Sequence, residues 1–177
     1  MMTCKITQSV KNNPQFHPQK MWVSLVFVAI ALLCFSSGAF AGDLKIKDGD
    51  SFVLNGAEIR LWGIDAPEYN QICQKNGQNY PCGRKARDFL ENLLTPLPSI
   101  TCKEKSRAQK ETRQVAQCFI DGKDIAEIMV SNGHAIDYLY FSKGYYANAQ
   151  NSAKLAKYGI WAGEFITPRE WRKIQKY

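Results

Sequence analysis

Asp50, Arg60, Asp65 and Glu68 fall within nineteen residues of one another, and their types set the chemistry they can do. Three carboxylates offer hard oxygen donors, the kind preferred by Ca2+ or Mg2+. A chain with only two histidines, His17 and His134, is poorly supplied for zinc or iron. Each residue also has a plainer reading on its own. Asp48-Gly49-Asp50 is an ordinary turn signal, Asp65 before Ala66-Pro67 can cap a turn, and Arg60 can be a solvated strand residue balanced by Glu58. Their combination favours a site.

Short strands must hold these side chains. Leu44–Lys47, Ser51–Leu54 and Ala57–Trp62 read as a meander punctuated by Asp48-Gly49-Asp50 and Asn55-Gly56. Alternation in the third strand sends Ile59 and Leu61 to one face and Arg60 to the other, with Asp65 and Glu68 just past its end and Asp50 at the turn opening the strand before it. Helical spacing follows at Gly83–Leu94, Asp124–Ser131 and about Tyr145–Lys157, with two further strands, Ser99–Lys105 and Arg113–Ile120, after the first helix. The class is α+β, mainly β. Five short strands with a helix before the last two suit a small OB-type barrel packed against three helices.

Residues 1–41 stand apart. Met1–Lys20 carries three lysines and no acid, Met21–Phe35 is apolar except for Ser24, and Ala39-Phe40-Ala41 ends in Ala-x-Ala, the plan of a secretory signal cleaved after Ala41. An uncleaved anchor is the alternative, although fifteen apolar residues fall short of the ~20 that cross a bilayer. Either way residues 42–177 form the exported domain, periplasmic or secreted, or membrane-anchored outside the cytoplasm. Without the three leader lysines the formal charge falls from +7 to +4, enough to attract polyanions but too little for a DNA-coating protein. Cys73, Cys82, Cys102 and Cys118 remain, an even number in an exported chain. A hairpin centred near Lys110 sets Cys102 opposite Cys118, leaving Cys73 to bond Cys82 across a short loop. With no Cys-x-x-Cys and one histidine after the leader, a zinc site fails on spacing.

The stretches Asp48–Ser51 and Ile59–Glu68 resemble the signature of the staphylococcal-nuclease-like, or thermonuclease, family. The resemblance extends over Thr112–Ala116, Ile128–Ala135, Ala153–Trp161 and Pro168–Arg172. It implies an OB barrel with three helices and Ca2+-dependent hydrolysis of DNA and RNA with little sequence preference, leaving 3′-phosphate and 5′-hydroxyl ends. By resemblance Asp50, Asp65 and the Ala66 carbonyl bind Ca2+, Glu68 activates water, and Arg60 and Arg113 hold the scissile phosphate. Arginine suits that task because its planar fork bonds two phosphate oxygens. Tyr138 and Tyr140 stand where family tyrosines line the nucleotide pocket; on an extended segment both rings would share a face.

The family pattern is not kept throughout. Gln109, Glu111 and Thr112 replace an acid, an aromatic and the glycine that normally precedes the arginine, so the loop presenting Arg113 is expected to differ in shape. The alternative to an enzyme is an OB module that binds nucleic acid and has lost catalysis. Arg60, Glu68 and Arg113 beside Asp50 and Asp65 favour the enzyme, since a binding module needs no general base. His134 reads as a helix-end residue outside the chemistry. The basic tail, with Arg169, Arg172, Lys173 and Lys176, can contact substrate, although exposed terminal charge is usually just solvated. No stable protein partner is expected, and the chain is expected to be a monomer.

Overall fold

A computed structural model describes residues 43–95, 99–107 and 113–176. The leader expected at 1–41, and Gln109, Glu111 and Thr112 of the variant loop, lie outside the described residues.

Strands β1 (Leu44–Asp48) and β2 (Ser51–Leu54) meet through the Gly49-Asp50 turn and pair antiparallel, Ile46 opposite Phe52. Asn55 and Gly56, at φ 51° and 79°, close a two-residue hairpin to β3 (Ala57–Leu61), where Ser51 faces Arg60. Left-handed residues at both positions twist the turn as flanking strands require. The alternation holds: Ile59 and Leu61 are buried, and Arg60 between them is not. After β4 (Ile64–Asp65), β5 (Cys73–Lys75) and β6 (Gln78–Tyr80) form a small hairpin turned by Asn76-Gly77.

Helix α1 (Cys82–Leu94) lays Ala86, Leu90 and Leu94 on the core at four-residue intervals. Its first turn approaches the backbone so closely that a Cβ on Gly83 would stand 1.7 Å from the Glu68 carbonyl oxygen. Glycine therefore lets α1 back the loop that carries Glu68. Beyond it, β7 (Ile100–Arg107) and β8 (Gln114–Ile120) pair antiparallel, and β8 runs parallel beside β3, giving the order β1-β2-β3-β8-β7, with β9 (Lys123–Asp124) also on β8. Cys102 and Cys118 are directly opposed and disulfide-bonded, Cα atoms 4.1 Å apart; Cys73 and Cys82 form the second bridge, at 5.6 Å.

Asp124 caps α2 (Ile125–Ser131), its Oδ1 accepting from the Ala126 N–H at 2.9 Å. Then come β10 (Ile136–Asp137), which pairs with β4, and α3 (Leu139–Ser142), α4 (Ala147–Leu155), a 3-10 turn (Gly159–Ala162) and α5 (Pro168–Ile174). The architecture is thus a mainly-β sheet with several helices. β1, β2, β3, β7 and β8, and α1, α2 and α4, fall on stretches read from sequence as strands and helices, but the described residues hold ten strands and five α-helices rather than the five and three expected. The short β4–β10 and β5–β6 ladders, α3 and α5 were not anticipated, because two or three residues are too few for periodicity to register. Among the described residues no helix is long and apolar enough to cross a membrane.

A chain of fixed contacts leads from the first disulfide to α5. Cys73–Cys82 ties the β5–β6 hairpin to α1. Gln74 and Glu164 then exchange two backbone hydrogen bonds of 2.8 Å. Buried Gln71 accepts from the Glu68 N–H at 3.2 Å and donates to the Ile166 carbonyl at 2.8 Å. Thr167 and Glu170 form a capping box, with Pro168 in the first turn, so α5 starts where the sheet-bound chain ends.

Candidate active site

The parallel register of β3 and β8 sets Arg60 opposite Val115. Arg113 is half-buried and immediately precedes β8, two residues before Val115. The β3–β4 turn at Trp62-Gly63 brings Asp65 back beneath the Arg60 guanidinium. Arg60 Nη2 then lies 2.9 Å from Asp50 Oδ2 and 3.0 Å from Asp65 Oδ1. One nitrogen is shared by two carboxylates that are almost wholly buried, Asp50 at 3% and Asp65 at 1% exposure. Ser51 Oγ donates to Asp50 Oδ1 at 2.8 Å, and the Ala66 N–H donates to Oδ2 at 3.3 Å.

Burial pushes the Asp50 carboxyl up to about 7, Arg60 opposing the rise and neighbouring Asp48 adding to it. For Arg60, burial disfavours the charge, but Asp50 and Asp65 outweigh it and raise the pKa.

The tail supplies an unexpected member. Arg172, on α5, donates from Nη1 and Nη2 to the two oxygens of Asp65, both at 2.9 Å, and from Nη1 to Glu68 Oε1 at 2.5 Å. These bonds, to Asp65 first, raise its pKa further. The solvated reading is thereby overturned for Arg172: the capping box and the Gln71 tie return the tail across more than a hundred residues. The sequence did carry a signal in Thr167-Pro168-x-Glu170, a helix start that aims the following turn. Because Arg172 Nη1 spans Asp65 and Glu68, the expected base adjoins the expected ion ligand.

Tyr138 and Tyr140 follow β10, the partner of β4, and are not on an extended strand. The Tyr138 N–H donates to the Gly63 carbonyl at 2.9 Å, and α3 begins at the next residue. The two rings are tilted, with centroids 6.4 Å apart, and Tyr140 is 69% exposed. Helical turning, closed by left-handed Lys143, replaces the strand geometry that two-residue spacing suggested. His134 packs against α1 rather than on the carboxylates. Its ring stacks on Phe89 at 4.2 Å, and burial, with Lys85 nearby, lowers its pKa to about 4.

The donors at Asp50 and Asp65 are all hard oxygens, a set that fits a Ca2+-sized ion in type. Among the described residues no group of three or more His, Cys, Asp or Glu side chains has the arrangement of a metal cage. Backbone oxygens and water would have to complete any coordination.

Fold and site together define a small β-rich domain built around a buried carboxylate pair bridged by a strand arginine. Residues 58–163 match the staphylococcal nuclease homologue family, and the chain belongs to it. It is 32% identical over 142 residues to succinoglycan biosynthesis protein ExoI of Rhizobium meliloti (strain 1021), covering 77% of this chain and 74% of that protein. Over 130 residues it is 34% identical to probable staphylococcal-like nuclease CAN4 of Oryza sativa subsp. japonica, covering 72% of this chain but 24% of the relative. Endonuclease YhcR of Bacillus subtilis (strain 168) is 29% identical over 132 residues, 66% of this chain and 11% of that protein.

Proposed function

We propose that this chain is a Ca2+-dependent phosphodiesterase that hydrolyses DNA and RNA with little sequence preference, leaving 3′-phosphate ends. The observation that carries the reading is the meeting of Asp50 and Asp65 on one Arg60 nitrogen with Glu68 adjoining Asp65. The family match and the nuclease-named relatives support it.

In this reading Asp50, Asp65 and the Ala66 carbonyl hold Ca2+, which neutralises phosphate charge when bound. Glu68, about one-third exposed, takes the proton of the attacking water. Arg60 and Arg113 carry the negative charge that builds on the phosphate oxygens, pre-oriented by the sheet so that little reorganisation accompanies attack. Arg113 acts as an electrostatic partner of the departing 5′ oxygen, which takes its proton from solvent water. Tyr138 and exposed Tyr140 offer faces on which bases stack regardless of sequence.

We read the sheet as a five-stranded OB-type barrel, and residues 1–41 as the leader that exports domain 42–177 as a monomer. Both disulfides suit an oxidising compartment. The test is digestion of plasmid DNA and of RNA with millimolar Ca2+ and with a chelator. The wild type is expected to cut only with the ion, and Glu68→Gln to lower the rate at least ~100-fold. A Glu68→Gln protein that digests as fast as wild type refutes the base assignment.

A further inference from the structure

We infer that Arg172 is a built-in counter-cation that competes with the divalent ion for Asp65, so that α5 is docked on the site without the ion and released when it binds. This rests on the proposed role of Asp50 and Asp65 as ion ligands.

Three observations carry it. Arg172 engages both oxygens of Asp65 in a fork, while Asp65 Oδ1 also accepts from Arg60. A carboxylate has about four lone-pair positions, and three of those on Asp65 are already used. A dication on the remaining one would stand beside the Arg172 guanidinium on a buried carboxylate, where like charges repel. Charge balance points the same way. With Asp48 beside Asp50, carboxylates already outnumber Arg60 and Arg172 in this cluster, and departure of Arg172 deepens the negative excess that a dication would offset.

The third observation is mechanical. Arg60 is part of the central sheet, whereas Arg172 belongs to a seven-residue helix of which only Pro168 is buried. Its side chain is 34% exposed and reaches the carboxylates from the solvent side, so it can leave without disturbing the core. The capping box holds the start of α5 and contributes nothing to the docking of its second turn. In that turn Trp171 is also half-buried, and the three bonds of Arg172 tie it to Asp65 and Glu68.

The experiment is calorimetric titration of the full chain with Ca2+, for wild type, Arg172→Gln, Arg172→Lys and Asp65→Asn, with amide hydrogen exchange of residues 168–174 followed in parallel. Arg172→Gln is expected to bind Ca2+ at least ~10-fold tighter than wild type, because removing a neighbouring positive charge favours the ion. Arg172→Lys should fall between them, since lysine keeps the charge and loses the fork. Added Ca2+ should speed exchange in wild-type α5. In Arg172→Gln exchange should be fast from the start and indifferent to the ion.

If Asp65→Asn abolishes binding but Arg172→Gln binds no tighter than wild type, the competition is refuted and the ion site stands. Ca2+ that leaves wild-type α5 unchanged or more protected refutes the release, a result that needs no variant to fold. If Asp65→Asn binds Ca2+ as wild type does, or no protein binds it, the ion-site reading and the competition fall together.

Discussion

Replacing Asp50 with asparagine should stabilise the ion-free protein while abolishing its response to Ca2+. The folded carboxyl titrates near 7 rather than its ordinary 3.8, chiefly because it is buried. A raised pKa means that the folded state resists losing this proton, so the associated stability is intact below pH 4 and lost as pH rises to 7. Complete ionisation costs on the order of 4 kcal/mol at pH 8. Asparagine removes that cost. Its amide oxygen can still accept from the Ala66 N–H and Arg60, and Ser51 Oγ can rotate to accept from the new amide N–H. The Arg60 attraction is already contained in that cost, since it opposes the rise, so about 4 kcal/mol is an upper limit; burying an amide in place of a neutral carboxyl returns part of it and leaves a net of about 2 kcal/mol. With a urea slope of ~1–3 kcal/mol per molar, the midpoint should rise by roughly 1 M at pH 8 in chelator. Tryptophan fluorescence reads the transition, and the gain should vanish by pH 4. A variant no more stable than wild type at pH 8, or equally stabilised at pH 4, refutes the account of Asp50.

Two further outcomes follow from the packing. His134 has its pKa lowered to about 4, so between pH 6.5 and 4 the unfolded chain takes a proton that the folded ring refuses, and stability falls with pH by up to about 1.4 kcal/mol per unit. His134→Phe, which keeps a ring against Phe89, should remove that slope in melting curves; parallel curves for the two proteins contradict it. The disulfides span 9 and 16 residues, and loop entropy assigns them roughly 2.5 and 3 kcal/mol. Paired serine variants should show losses of that order in urea unfolding. Only loss of Cys73–Cys82 should also speed amide exchange at Gln74, Glu164 and α5; equal exchange in both variants contradicts the tether.

What could be read in the sequence was local. Ile59-Arg60-Leu61 declared its two faces by alternation, Asn55-Gly56 declared its hairpin, and a hairpin centred near Lys110 sufficed to pair Cys102 with Cys118. Asn76-Gly77 carried the same turn signal as Asn55-Gly56, but three-residue strands beside it were too short to be recognised. Asp50, Arg60 and Asp65 stood out because acids and a strand arginine gathered around one turn. Arg172 did not, since its partners lie 107 and 104 residues away and only the folded path through Gln71 and the Gln74–Glu164 bridge brings them together. Tyr138 and Tyr140 were misplaced by their spacing, because two-residue periodicity cannot distinguish a strand from the entrance to a one-turn helix.

The central claim is that Asp50, Asp65, Arg60 and Arg113 act on a single phosphodiester. A crystal structure with Ca2+ and a non-hydrolysable dinucleotide tests it most directly. The account predicts one ion held by Asp50 and Asp65, both guanidinium groups on the same phosphate, and Glu68 facing the phosphorus from the side opposite the 5′ oxygen. An ion bound elsewhere, or Arg60 and Arg113 engaged with different phosphates, would contradict it.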